Sequence, residues 1–205
     1  MKLNLFLLFV FFMINCYGQI KIDKVESGSL PKEISYAGNL IKTIKWKDSL
    51  GSNYLVLTET GEYESKDKEG NIIKNAGIYA YHYLRSSDSI KLTWKIYDYS
   101  KECPFDLFVK FVGDKFKVTD LDSNGIAEVW ILYSNQCTSD VSPAPFKIIM
   151  YEGSKKYAMR GESVVKMSDK EFIGGKYIMD NHLRKANIKF KNYAVNLWNK
   201  NKLQY

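Results

Sequence analysis

Residues 120–128 read Asp-Leu-Asp-Ser-Asn-Gly-Ile-Ala-Glu, and side-chain oxygens recur there at Asp120, Asp122, Asn124 and Glu128. Gly125 stands where such a segment must turn sharply. Alternating oxygens around a tight glycine turn can wrap a hard cation, and Ca²⁺ accepts many oxygen ligands in flexible geometry. Mg²⁺ prefers few protein ligands and many waters, so Ca²⁺ is the expected ion. A bare hairpin, in which Asp and Asn cap their own backbone, needs only one or two such residues. The segment is not an EF-hand, because the twelfth position, where that loop carries its bidentate Glu, is Ile131. Three carboxylates predict micromolar to millimolar affinity, as in extracellular modules.

Catalysis finds little foothold. The chain has no Gly-x-Ser-x-Gly elbow, no His-Glu-x-x-His and no phosphate loop. A Ser/His/Asp set can be assembled from His82, Asp140 and Ser142, as in any chain of this length. Asp120, Asp122 or Glu128 could serve as acid and base on a glycan. The glycine turn and the oxygen spacing favour the ion, and no catalytic residue is assigned.

The start of the chain reads as a signal peptide over residues 1–18. Lys2 gives a positive start, Leu5 to Ile14 is an unbroken apolar run, and Cys16-Tyr17-Gly18 places small residues before a cleavage point at Gln19. The apolar run falls well short of the ~20 residues that a spanning helix needs. The expectation is an exported chain with no transmembrane segment in residues 19–205, forming a single domain. A lipoprotein anchored through Cys16 is the lesser reading, because Asn15 is not the small residue that lipid attachment wants. The formal net charge is +7. A basic chain could favour an anionic glycan or membrane surface, but the lysines are scattered without a run of five, as on a solvated surface, and no nucleic-acid module is recognisable.

Cys103 and Cys137 are the cysteines outside the leader. An even count in an oxidising compartment predicts one disulfide. It would close a loop of about 35 residues around the acidic motif, worth on the order of 3 to 4 kcal/mol, and would hold the flanks of that hairpin together.

The composition, with 15 Tyr and 11 Phe, and a tendency to apolar alternation predict a mainly β protein. Candidate strands are 40–46, 53–58, 78–84, 90–97, 107–112, 116–118, 127–133, 146–151 and 157–159, separated by turn signals. Short strands at this spacing predict an antiparallel meander. Polar residues 61–75 read as an exposed hairpin or loop, and Pro143-Ala144-Pro145 breaks the chain. The segment from Cys137 to Pro145 reads as a tethered loop, with a binding lip as the sharper alternative.

Near the end the period changes. Phe190, Tyr193, Ala194, Leu197 and Trp198 fall on one face of a helix at about 187–200, predicted to pack on the sheet. A weak repeat aligns Asp48-Ser-Leu-Gly51 with Asp122-Ser-Asn-Gly125, each followed by two apolar strands, which would give two blade-like units, although Asp-x-x-Gly is also ordinary turn chemistry. The first copy has Trp46 in place of Asp120 and Tyr54 in place of Glu128.

The pattern Asp-x-Asp-x-Asn-Gly-x-x-Glu resembles the calcium loops of integrin-type β-propeller repeats. That resemblance implies side-chain ligands from Asp120, Asp122, Asn124 and Glu128 and a backbone carbonyl from Ile126. Asn124 and Glu128 stand where those loops usually carry Asp. Beyond the loop, three runs resemble a family of exported proteins of flavobacteria and their relatives. They are Val118 to Val129, Cys137-Thr-Ser-Asp-Val-Ser-Pro143 and Lys155-Lys-Tyr-Ala-Met-Arg-Gly161. The leader ending Tyr-Gly-Gln is similar to theirs. That family carries the label surface polysaccharide biosynthesis protein. The resemblance implies a Gram-negative envelope location, periplasmic or at the cell surface, and a surface glycan or envelope protein as partner. The expected function is a non-catalytic accessory or binding module, with a periplasmic glycan-acting enzyme as the alternative.

Overall fold

The computed structural model describes residues 20–203, so the expected leader with Cys16 lies outside the described residues. The described chain is mainly β, antiparallel, with a C-terminal helix.

In chain order the first unit contains β1 (Ile22–Lys24), β2 (Asn39–Asp48), β3 (Gly51–Glu59), β4 (Tyr63–Lys66), β5 (Ile72–Ser86) and β6 (Ser89–Cys103). They pair in the order β1-β2-β3-β5-β6, and β4 lies beside the start of β5, past the end of β3. Then follow β7 (Asp106–Thr119), β8 (Glu128–Thr138), β9 (Pro145–Glu152) and β10 (Lys155–Glu162). A small ladder of β11 (Val164–Lys166) and β12 (Phe172–Gly174) precedes β13 (Tyr177–Met179), α1 (Asn181–Arg184) and α2 (Ile188–Asn201). The second sheet runs β7-β8-β9-β10-β13.

Three apolar layers hold these elements. Ile44, Trp46, Leu55, Leu57, Ile78 and Ile96 of the first sheet meet Val129, Ile131 and Ile149 of the second in the central core. The other face of the second sheet carries Trp130, Leu132, Phe146, Ile148 and Met150, and α2 covers it with Phe190, Ala194, Leu197 and Trp198. This explains the unbroken apolar run from Val129 to Tyr133. A strand covered on both faces loses the alternation that a half-exposed one shows. Asn187 caps α2 by accepting from the Lys189 N–H at 3.0 Å, which satisfies one of the orphan donors of the first turn. The outer face of the first sheet is covered only in part. Ile34 packs on Val56, Tyr81 and Tyr83, and the Tyr81 hydroxyl accepts from the Ala37 N–H at 3.1 Å.

Most of the expected strands form. Residues 107–112 and 116–118 are one strand, β7, broken only by a bulge between Phe111 and Phe116 where Gly113 and Lys115 take positive φ. Residues 61–75 do contain a hairpin, β4 against the first residues of β5. The helix begins at Ile188. The strands β1, β11, β12 and β13 are three residues each, too short to show a period.

The weak repeat has a structural counterpart. β2-β3-β5-β6 and β7-β8-β9-β10 are each a four-stranded antiparallel meander, packed face to face. The aligned Asp48/Asp122 and Gly51/Gly125 both fall at the connection from first to second strand. Leu55 and Leu57 of one unit and Val129 and Ile131 of the other share the central core.

Candidate metal site

The connection from Thr119 to Glu128 folds around its own carboxylates. Asp120 accepts from the Asn124 and Gly125 N–H groups, each at 3.1 Å, and Asp122 accepts from the Asn124 N–H at 3.3 Å. Ser123 and Gly125 take φ of +64° and +80°, which lets the loop double back within so few residues. Gly125 has a second reason to be glycine, since a Cβ there would lie 2.3 Å from Ser49 Oγ. That contact docks the loop on the first unit. The Ser49 N–H donates to the Gly125 carbonyl at 2.8 Å, and the Ala127 N–H donates to Asp48 Oδ2 at 3.2 Å.

Glu128 is the anchor. It has 0% exposure and accepts from Thr119 Oγ1 at 2.6 Å and from the Leu121 N–H at 3.0 Å. Thr119 Oγ1 in turn accepts from Trp130 Nε1 at 2.9 Å, which ties the site to the core. Asp120, Asp122 and Glu128 each offer a carboxylate oxygen, and these lie within 4.8 Å of one another. None of the three joins an ion pair among the described residues. Burial raises the Glu128 pKa, and the charges of Asp122 and Asp120 raise it further, against hydrogen bonds from Thr119 and Leu121 that lower it. A divalent cation among these oxygens would supply the missing opposite charge, so the donor set fits Ca²⁺.

Of the residues expected from the sequence, three converge. Asn124 is in the same loop but its amide is otherwise engaged. Its Oδ1 accepts from the Ile126 N–H at 2.7 Å, and its Nδ2 donates to Asp122 at 3.3 Å and to Glu152 Oε1 at 2.7 Å. Ile126 enters this arrangement through that N–H. Glu152 is the residue that sequence reasoning missed. It stands opposite Glu128 across β8 and β9 and accepts from the Tyr157 hydroxyl at 3.2 Å. Only the strand register reveals it, and the local spacing carries no signal.

Cys103 and Cys137 are bonded, with Cα atoms 5.8 Å apart. The bridge does not join the two strands of the acidic hairpin to each other. It ties the end of β6 in the first unit to β8, roughly 30 Å along the strand from Glu128. The loop beyond Cys137 is bound to itself, Thr138 to Asp140 at 2.7 Å and Gln136 to the Ser142 carbonyl at 3.2 Å.

The Ser/His/Asp set is not assembled. His82 lies in the core between Trp46 and Trp94, with ring centroids 5.4 and 5.0 Å away. Its nitrogens are taken by Thr93 and by Asn53 Oδ1, and burial pushes its pKa down to about 4.

Comparison with family models, with curated proteins and with solved structures finds no match for this chain. No helix among the described residues is long and apolar enough to cross a membrane.

Proposed function

We propose that the chain is an exported, non-catalytic envelope module of a Gram-negative bacterium, in which Ca²⁺ stabilises the 120–128 loop, and that it serves surface polysaccharide as an accessory or binding protein. One observation carries the ion. Three carboxylates, one of them fully covered, face one another within 4.8 Å without a basic partner among the described residues. Asp120, Asp122 and Glu128 would hold Ca²⁺, and the loop pattern implies as further ligands the Ile126 carbonyl and Asn124, through the lone pair of its Oδ1 that the Ile126 N–H leaves free. The ion would neutralise the cluster and favour the folded state. The envelope location rests on the leader, the disulfide and the resemblance to exported flavobacterial proteins.

The alternative, a glycan-acting enzyme using the same carboxylates, requires Glu128 to reach a sugar. With no exposed surface and its oxygens held by Thr119 and Leu121, Glu128 is poorly placed for that.

Calorimetric titration of Ca²⁺ into chelator-treated protein tests the proposal. The expected result is one site of micromolar to millimolar affinity, lost in Asp120→Ala and Asp122→Ala variants that remain folded by circular dichroism. No heat in the wild type would reduce the loop to a turn.

A further inference from the structure

The second sheet extends past the first. β6 is the last strand of the first sheet, and it meets the second over β9, where Asp98 pairs with Lys147 and Trp94 stacks on Tyr151 at 4.3 Å. Past that line, Ala158 of β10 is still buried in the central core, and the side chains that flank it on the same face of β10 and β13 reach solvent. Lys156 and Arg160 are exposed, and Ile178 is 77% exposed.

Three cations share this shelf. Lys147 stands directly opposite Arg160 across β9 and β10, and Lys156 lies four residues before Arg160 on the same face. Like charges placed directly opposite in an antiparallel pair destabilise it. Asp98 answers Lys147 but is also held by Asn135 at 2.9 Å. Neither Lys156 nor Arg160 forms an ion pair among the described residues. Burial, and then the Arg160 charge, hold Lys156 below the ordinary lysine pKa. Lys147 acts in the same sense, and Asp180 and Asp98 oppose it. The ammonium groups of Lys147 and Lys156 sit 5.6 and 5.9 Å from the ring centroids of Tyr133 and Tyr151. A fold that sets Lys156 and Arg160, without ion pairs among the described residues, beside the Lys147–Asp98 pair is expected to use them.

The geometry points to a binding strip for an acidic polysaccharide, whose successive carboxylates lie along Arg160 with Lys147 and then Lys156. This deepens the reading of the chain as a glycan module and rests on it. Lys156 and Arg160 are separated by roughly 13 Å of strand, which suits a polymer with repeating charges better than one small anion. A single-stranded nucleic acid would draw on base stacking over open aromatic faces. Here Tyr133 and Tyr151 are only 4% and 7% exposed, so the strip offers charge without a stacking platform.

The test titrates four probes into the purified protein with chelator present: hexagalacturonate, its methyl ester, a DNA hexanucleotide and inorganic phosphate. The acidic hexamer should bind, and the ester and phosphate should bind at least tenfold more weakly. Lys156→Gln combined with Arg160→Gln should lose at least tenfold in affinity at a melting temperature equal to or above that of the wild type. Lys95→Gln with Lys101→Gln, on the opposite sheet, should bind as the wild type does. No binding of the hexamer, equal binding by the Lys156/Arg160 variant, or equally tight binding of the ester or the DNA would overturn the strip. Melting with and without Ca²⁺ on the same samples separates the two readings. A Ca²⁺ shift without uronate binding overturns the strip and leaves the ion site. Variant-sensitive uronate binding without a Ca²⁺ shift supports the strip and overturns the ion site.

Discussion

The connection from Asp48 to Gly51 and the connection from Thr119 to Glu128 join first strand to second in their respective four-stranded units, and they touch through Ser49 and Gly125. In the first, one carboxylate suffices. Asp48 accepts from Trp46 Nε1 at 3.3 Å, the Leu50 N–H at 2.9 Å and the Ala127 N–H at 3.2 Å, all neutral donors. In the second, three carboxylates converge: Asp122 at the place of Asp48, and Asp120 and Glu128 where Trp46 and Tyr54 stand in the first copy. A hairpin turn at this place evidently does not need the added charge. Crowded carboxylates weaken a fold unless something compensates them, so the second connection is the one that a bound cation would stabilise.

The two units differ as well in what covers their outer faces, and this gives the largest expected effect. Trp198 of α2 is fully buried on the second sheet, whereas Tyr99 on the first sheet is 46% exposed. Trp198→Ala should cost about 3 to 5 kcal/mol in urea unfolding. Tyr99→Ala should stay within about 0.5 kcal/mol. Similar losses would break the contrast between a helix-covered and a partly open sheet.

Beneath the first turn, His82 makes the core sensitive to acid. Its folded pKa of about 4 lies below the ordinary 6.5, so between these values the unfolded chain binds a proton that the fold does not. Stability should therefore fall as pH drops from 6.5 towards 4, by up to about 3 kcal/mol from this group. His82→Gln should flatten that limb in unfolding curves measured across the window. An unchanged slope would mean that His82 takes up its proton in the fold as readily as in the unfolded chain.

A smaller effect sharpens the comparison of the turns themselves. Asp48→Ala removes the acceptor of three donors and should cost about 1 to 3 kcal/mol. Because Asp48 is outside the converging set, the Ca²⁺ response should persist in that variant. Its loss would mean that the two connections form one site.

Much of the strand order was legible, and the reasons are physical. Strands such as Val129 to Tyr133 and the helix stripe of Phe190, Ala194, Leu197 and Trp198 owe their pattern to burial, and burial is written in residue type. The pairing of Cys103 with Cys137 followed from there being only one partner. What it ties together did not, because that depends on β6 and β8 belonging to different sheets. The loop at 120–128 was visible because its carboxylates are close in sequence. Glu152, and the opposition of Lys147 to Arg160, were not, because they arise from register between strands many residues apart.

Thermal unfolding of the wild type, Asp122→Ala and Asp48→Ala, each with excess Ca²⁺ and with chelator, tests the central claim most directly. At about 100 times the dissociation constant, Ca²⁺ should add about 2.7 kcal/mol. That corresponds to a rise of roughly 5 to 10 °C for a chain of this size. The rise should appear in the wild type and Asp48→Ala and vanish in Asp122→Ala. Superimposable wild-type curves with Ca²⁺ and with chelator would contradict the ion site.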